Sequence, residues 1–480
     1  MVYYSIVTTV LIYILLFYNY PKQRKELIKY FTLLSSLFLF ILSIMLWIYF
    51  NPYEQTFQFN FICTNIEFSF YFGLDGISLL FIFLTTFLFP ICLLYNWNNI
   101  YKITGEFCLI MISMELLLIA IFATQNILFF YICFEIALVP LFILIGINNI
   151  RKRRIHAAYL LFLYTLMGSL FMLITIIYLY SISGSFNYYV LYNVSIDPSI
   201  QKLMWLFLFI SLAVKIPLFP FHIWLPEAHV EAPTEGSIIL AGVLLKLGIY
   251  GYIRILIPIF YQATLYYMPL VFTIAIISGV YASMSTLRQT DIKRVIAYSS
   301  IAHMSIGIFG LFTLKPIGMV GSIILMFSHG IVSGALFLII GILYDRFKTK
   351  TLFYFNGLVQ LMPLTATMFF LFILGNISFP GTSSFIGETL VLIDVANIQK
   401  GSLLFIAIIL LLCTLYSLLL FNKVFFGLSS IFKVNSTFDL TRRELHMIIP
   451  FVFIMLWIGI YPHAFVELIE SNIYFIYFNT

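Results

Sequence analysis

The sequence is poor in charge. Of its 480 residues only 9% are Asp, Glu, Lys or Arg, against about 25% in an average soluble domain. So few charges cannot keep a globular surface wet, which excludes a soluble enzyme and a disordered chain alike. Cysteine is scarce too: five residues and no CxxC pair, hence no disulfide framework and no zinc or iron–sulfur spacing. Cys92, Cys108, Cys133 and Cys413 lie in apolar runs and read as small core hydrophobes. Neither a GxGxxG motif nor a P-loop occurs, so this chain is expected to bind no nucleotide. An Arg- and Ser-rich amphipathic leader is also missing. Residues 1–20 are instead a continuous apolar run ending at Pro21-Lys22-Gln23-Arg24-Lys25, which reads as a retained first helix.

What is present is apolar. Hydrophobic residues make up 62% of the chain and aromatics 19%, with a mean hydropathy of +1.07. A membrane span needs about 20 such residues. Apolar runs between polar breaks predict an all-α polytopic membrane protein of about 14 transmembrane helices. The spans are 3–20, 30–50, 76–95, 107–123, 127–147, 155–180, 203–223, 236–257, 264–286, 294–313, 318–343, 361–397, 402–427 and 446–468. The seventh carries Pro217 and Pro220, with Pro226 beyond, and the overlong twelfth contains Pro380-Gly381. Proline removes a helical hydrogen bond and crowds the preceding turn, so helices 7 and 12 are expected to be broken. Paired interruptions in two halves of a chain point to an inverted-repeat transporter. The organisation predicted is residues 1–106 (helices 1–3), 107–257 (a first five-helix repeat), 258–430 (a second, inverted repeat) and 431–480 (helix 14). An odd number of helices per unit forces the opposite orientation.

Charge placement tests these spans. Nineteen of the 25 Lys and Arg residues fall in loops on one side, and four (Lys202, Arg254, Lys315, Lys400) on the other. That asymmetry is what the positive-inside rule requires, and it puts both termini on the outside. The Arg151–Arg154 run reads as a topology anchor, with bound cardiolipin as the lesser reading.

Two lysines remain, Lys215 and Lys246, each near mid-span, as are the acids Glu135 and Glu388. A charge at the bilayer centre costs at least ~2.5–3.5 kcal/mol and by default marks an ion path. Desolvation penalises the charged form of both residue types, so such groups can exchange a proton. Glu115, an acid, is the fifth intramembrane charge, divided evenly between function and local pairing. His222, His229, His303 and His329 lie in or beside helices 7, 8, 10 and 11. Histidine titrates nearest physiological pH, and four of them among intramembrane charges suggest a polar relay. His156, His446 and His463 sit nearer span ends and read as structural.

Four segments carry a family resemblance. FHIWLPEAHVEAPTEGSIILAGVLLKLGIYGYIR (221–254), FYICFEIALVP (130–140), LRQTDIKRVIAYSSIAHMS (287–305) and FSHGIVSGALF (327–337) closely resemble the chain 4 family of NADH:ubiquinone oxidoreductase, respiratory complex I. The resemblance implies a proton-translocating, antiporter-like subunit of the membrane arm. It implies that Glu135 and Lys215 pair in a proton channel and that Lys246, His303 and His329 lie on a central hydrophilic axis. Glu388 matches the terminal site on helix 12, with His222 and His229 added as candidate proton carriers from their positions. NADH, FMN, iron–sulfur clusters and ubiquinone are expected in other subunits, and no cofactor, metal or nucleic acid in this chain. The partners implied are neighbouring membrane-arm subunits and lipids. The implied location is the mitochondrial inner membrane, with basic loops in the matrix and termini in the intermembrane space. Glu115, Glu227 and Glu235 depart from the family pattern and bear on the uptake path. A subunit of a multisubunit sodium/proton antiporter, which shares the fold, is the alternative. A scaffold whose charges only lock helix registry is the third reading.

Overall fold

The computed structural model describes residues 25–63, 70–97, 104–146, 152–427 and 438–479. The first expected span lies outside them, as do Lys22, Arg24, Lys102, Arg151 and Lys433. Among the described residues, twelve helices are long and apolar enough to cross a membrane. In chain order they begin with α1 (Lys25–Tyr49), α2 (Gly76–Tyr95) and α3 (Thr104–Ala123). The next span divides into α4 (Ile127–Ile136) and α5 (Leu138–Gly146), followed by α6 (Lys152–Ser183). Pro140 explains that division, because it cannot donate to the carbonyl one turn earlier.

The seventh span is broken, as its prolines predict. α8 (Pro198–Lys215) follows the short α7 (Tyr188–Tyr192) and stops two residues before Pro217. Turns then lead to α9 (Trp224–Glu231). α10 (Thr234–Ile259) carries two π-turns, Leu240–Leu244 and Tyr252–Leu256. Next come α11 (Tyr261–Arg288), α12 (Ile292–Phe312) and α13 (Pro316–Phe347). The twelfth span is two helices, α14 (Pro363–Ile377) and α15 (Ser383–Ile398). Between them Ser378 and Gly381 take left-handed backbone at φ 62° and 91°, which a helix cannot continue. α16 (Lys400–Phe425), α17 (Arg442–Ile460) and α18 (His463–Asn479) complete the chain.

Two expectations need correction. The span read as 446–468 ends at Ile460, and a separate helix begins at His463 after Tyr461-Pro462. Proline at position 462 lacks the N–H that a continuing helix would need there. The stretch after α1, in turn, contains an antiparallel hairpin, β1 (Gln58–Cys63) and β2 (Phe70–Leu74). Asp75 follows directly and caps α2, accepting from Ser78 N at 3.0 Å.

Burial sorts the helices into an inner and an outer set. The apolar windows of α10 and α13 are wholly buried and those of α2 and α12 are 94% buried, against 22% for α1 and 33% for α16 and α17. Leu27, Leu34, Ile41 and Ile48 form an exposed stripe on α1, one every seven residues. In water such stripes would be a liability, but in a bilayer they are the surface that meets lipid. The polar groups of interest all sit on the inner set or on helices touching it. The chain is therefore a multi-pass membrane protein built around a fully enclosed helical centre.

Candidate functional site

Lys246 is completely buried in the middle of α10, between the two π-turns. A π-turn leaves carbonyls off the usual hydrogen-bond ladder. Nζ of Lys246 donates to one of these, the carbonyl of Ala241. It also lies 2.9 Å from Nδ1 of His329, midway along α13. Paired glycines bring the two helices this close: a Cβ on Gly330 would stand 2.9 Å from the Gly242 carbonyl oxygen. The His329 and His303 rings are 5.7 Å apart between centroids. Nδ1 of His303 then lies 3.3 Å from Oε1 of Glu388, an ion-pair distance, and both side chains are buried. Four of the expected residues, on four helices, thus form one line: Lys246, His329, His303, Glu388.

The break in helix 12 makes the far end of this line possible. His303 Nε2 lies 3.1 Å from Oδ1 of Asn376, near the end of α14, while Nδ1 faces Glu388 on α15. Twelve residues of unbroken α-helix would hold two such positions about 18 Å apart along the axis. The break folds them onto the two nitrogens of a single imidazole.

The other expected residues stand apart from this line. Lys215 is the last residue of α8; its buried Nζ has no hydrogen-bond partner among the described residues and lies 3.9 Å from the Phe134 ring centroid. Glu135 is half-buried and its Oε1 also lacks a partner. The two expected to pair do not touch; Phe134 occupies the position beneath the ammonium as a cation–π partner. His222 stacks against Phe219 at 5.8 Å and meets Tyr281 edge-to-face at 5.1 Å. His229 lies flat on Phe337 at 4.7 Å, with both ring nitrogens buried and without partners. Neither hydrogen-bonds to the line.

Two buried cations of the interior were not singled out by sequence reasoning. Lys293, read as a loop charge, is buried at the start of α12; its Nζ donates to Ala232 O at 2.9 Å and lies 3.4 Å from Ser237 Oγ. Its position after a polar loop gave no signal of burial. Arg254, read as a loop charge on the other side, is buried and ion-paired with Asp75, over the ring of Phe57. Glu115, weighed evenly, is fully buried, and neither oxygen has a partner among the described residues. Glu235 is buried too, whereas Glu227 is on the surface, 2.8 Å from Arg294. That pair lies in a cleft of about 750 Å³ that also contains Lys152, Arg153, His156 and Lys350. The cleft opens near the starts of α10 and α12, the Asp75–Arg254 pair at the opposite end of α10. Among the described residues, no group of three or more His, Cys, Asp or Glu side chains could hold a metal ion.

A closed helical centre threaded by a lysine–histidine–carboxylate line, with two broken helices, defines an antiporter-type membrane subunit. The family described as "NADH:quinone oxidoreductase/Mrp antiporter, TM" matches residues 124–415. The NADH-ubiquinone oxidoreductase chain 4 of Marchantia polymorpha is 46% identical over 94% of this chain and 92% of its own length. That of Chondrus crispus is 44% identical over the same shares. Among solved structures, a chain of respiratory complex I from Thermus thermophilus with bound NADH superposes with a TM-score of 0.88 at 26% identity, covering 98% of both chains. A chain of the Mrp complex from Dietzia sp. DQ12-45-1b reaches 0.87 at 16% identity over 98% and 96%, a likeness of fold alone. The chain belongs to the NADH-ubiquinone oxidoreductase chain 4 family.

Proposed function

We propose that the chain moves protons across the membrane as a membrane-arm subunit of respiratory complex I. NADH, FMN, the iron–sulfur clusters and ubiquinone act in other subunits, and their electron transfer drives the charge changes here. The observation that carries this reading is the continuous line Lys246–His329–His303–Glu388, buried at every member. Each of these groups can hold or release a proton, and no purely structural role needs four titratable groups in file inside a bilayer.

In this scheme Lys246 exchanges its proton with Nδ1 of His329, His303 carries it on, and Glu388 receives it from Nδ1. Glu135 and Lys215 form the first half of the path. With Phe134 beneath it, the Lys215 ammonium is held away from Glu135, and rotation of Lys215 toward the carboxylate would join them. His222 and His229 are proton carriers of the same half, loaded from the Glu227–Arg294 cleft. Residues 107–257 and 258–430 are inverted repeats, flanked by 1–106 and 431–480. In both, the fourth span is interrupted over several residues. The membrane is the mitochondrial inner membrane, with the cleft and basic loops on the matrix side, where the Arg151–Arg154 run also meets anionic lipid. Both termini lie in the intermembrane space.

The test is Lys246→Met in the assembled complex reconstituted into vesicles. Removing a positioned acid–base group costs roughly 10²–10⁴-fold, so NADH-driven proton uptake per electron pair should fall at least tenfold while the complex persists on a native gel. Undiminished pumping sinks the reading. Proton movement that needs sodium and runs without NADH would select the antiporter alternative.

A further inference from the structure

His303 has neighbours on its far side that the proton line does not use. Cys413, midway along α16, lies 3.6 Å from His303 Nε2 through its Sγ. The same sulfur lies 3.3 Å from the backbone carbonyl oxygen of Asn376. The hydroxyl of Tyr416, one turn further on, donates to Cys413 Sγ at 3.0 Å. All three side chains are buried.

The donor count is informative. A thiol has one hydrogen to give. Because Sγ accepts from Tyr416, its own hydrogen must point elsewhere, and two acceptors are in reach: the Asn376 carbonyl and Nε2 of His303. His303 itself has two states. When Nε2 carries a proton, it donates to Asn376 Oδ1 at 3.1 Å. When Nε2 is bare, that Oδ1 offers it only a lone pair, and the Cys413 S–H is the donor that can satisfy it.

We propose that Cys413, with its rotor set by Tyr416, is a positioning residue that makes the bare Nε2 state of His303 accessible. The thiol hydrogen points to Nε2 while the imidazole is neutral with its proton on Nδ1; it turns to the Asn376 carbonyl as the proton arriving from the His329 side lands on Nε2 and the Nδ1 proton passes to Glu388. No bond to sulfur forms and no electron moves. The titratable groups facing His303 are Glu388 from α15, His329 from α13 with Lys246 behind it, and Cys413 and Tyr416 from α16. Of these, only the thiol can donate to Nε2 without altering the charge of the line. Placement within the fold agrees: Cys413 stands midway along the fifth span of the second set, as Lys246 does in the fifth span of the first.

The inference rests on the proton-transfer reading above, and the experiment separates the two. NADH-driven pumping by the reconstituted complex is measured against pH for Cys413→Ala, Cys413→Ser, Tyr416→Phe and Lys246→Met. Loss of one buried donor to the neutral imidazole favours the protonated form by roughly three- to tenfold. The alkaline limb of the Cys413→Ala profile should therefore move up by about half to one pH unit, with a three- to tenfold lower rate. Cys413→Ser keeps a donor and should stay within about twofold of the native rate with the native profile. Tyr416→Phe frees the rotor and should give a smaller shift in the same direction. A native profile in Cys413→Ala, or a Cys413→Ser that behaves like it, overturns the proposal. If Cys413→Ala does not assemble, an unshifted Tyr416→Phe overturns it instead. If Lys246→Met also pumps normally, it is the underlying proton-transfer reading that falls.

Discussion

The two halves of the polar interior are built from the same residue types and end in opposite conditions. In the second half, consecutive members of the series Lys246, His329, His303 and Glu388 are separated by 2.9 Å, 5.7 Å between ring centroids, and 3.3 Å. In the first, Lys215 rests on Phe134, and Glu135 Oε1 has no partner. The difference comes from where each helix breaks. α8 stops at Lys215 itself, so the lysine hangs from a helix end with only its own geometry to aim it. The break between α14 and α15 falls between Asn376 and Glu388 and turns both toward one ring. A break at a titratable residue leaves it free to move, whereas a break between two of them fastens both to a third.

The opposite ends of the halves differ in the same sense. The first is closed by a buried ion pair, Asp75–Arg254. In the second, Asp394 accepts from the Thr313 hydroxyl at 2.7 Å and from Gly318 N at 3.1 Å, with no cation paired to it among the described residues.

The comparison can be broken in several places. The largest effect on transport should come from Glu388→Gln, which removes the terminal acceptor of the connected half: pumping per electron pair falls more than tenfold in reconstituted vesicles. The largest effect on stability should come from Arg254→Met. It leaves the Asp75 carboxylate buried and unpaired, which costs about 3–5 kcal/mol. Thermal inactivation of the complex should come earlier, and the double variant with Asp75→Asn should recover much of the loss; equal stability in the single variant would contradict the burial assigned to this pair. Phe134→Leu sharpens the contrast from the loose side. It removes a cation–π contact of about 0.5–2 kcal/mol, so the Lys215 ammonium shifts toward Glu135 and pumping changes several-fold, with assembly intact.

The smallest effect lies outside the membrane, at Asp439. Burial works against its charge, but donation from the Thr365 hydroxyl and from the backbone N–H groups of Leu364, Leu440 and Thr365 outweighs it and holds the carboxylate below its ordinary range. The group is ionised over more of the pH scale folded than unfolded, so its contribution is present above the unfolded value near 3.8 and fades as pH falls through the lower folded value. The side chain is largely solvated, so the effect is small. Asp439→Asn should flatten the acid limb of stability only slightly, measured as residual assembly after acid exposure.

Much of this was legible in the sequence, because lipid makes the rules strict. Mid-span charges must turn inward, and Lys246, His303, His329 and Glu388 do. Prolines in a span must free backbone groups, and the breaks fall beside Pro217 and Pro380. What could not be read was lateral. Lys293 and Arg254 sit near span ends, where a charge usually meets water, and only the packing of α12 and α2 buries them. Asn376, Cys413 and Tyr416 are unremarkable letters in apolar helices; only a folded break brings them to His303. The Glu135–Lys215 contact was implied by resemblance, but contact depends on a rotamer, which no sequence pattern encodes. The split of 446–468 was missed because the interruption, Tyr461-Pro462-His463, is only three residues long between two apolar stretches.

The π-turns of α10 have a consequence for how this helix can vary. Each accommodates one residue more than a regular α-helical turn. Deleting a single residue from Leu240–Leu244 or from Tyr252–Leu256 would restore the ordinary ladder locally. The Leu245 N–H would still meet the Leu240 carbonyl, and the Ile257 N–H that of Tyr252, so the turns on either side would keep their rotation. A deletion in the regular turn between them has no wide turn to absorb it and would rotate everything beyond by about 100°, breaking the alignment of Lys246 with His329 and of Arg254 with Asp75. The two π-turns are therefore the places where this helix can change length with least disturbance. A single-residue deletion there should be better tolerated than one between Leu245 and Gly251.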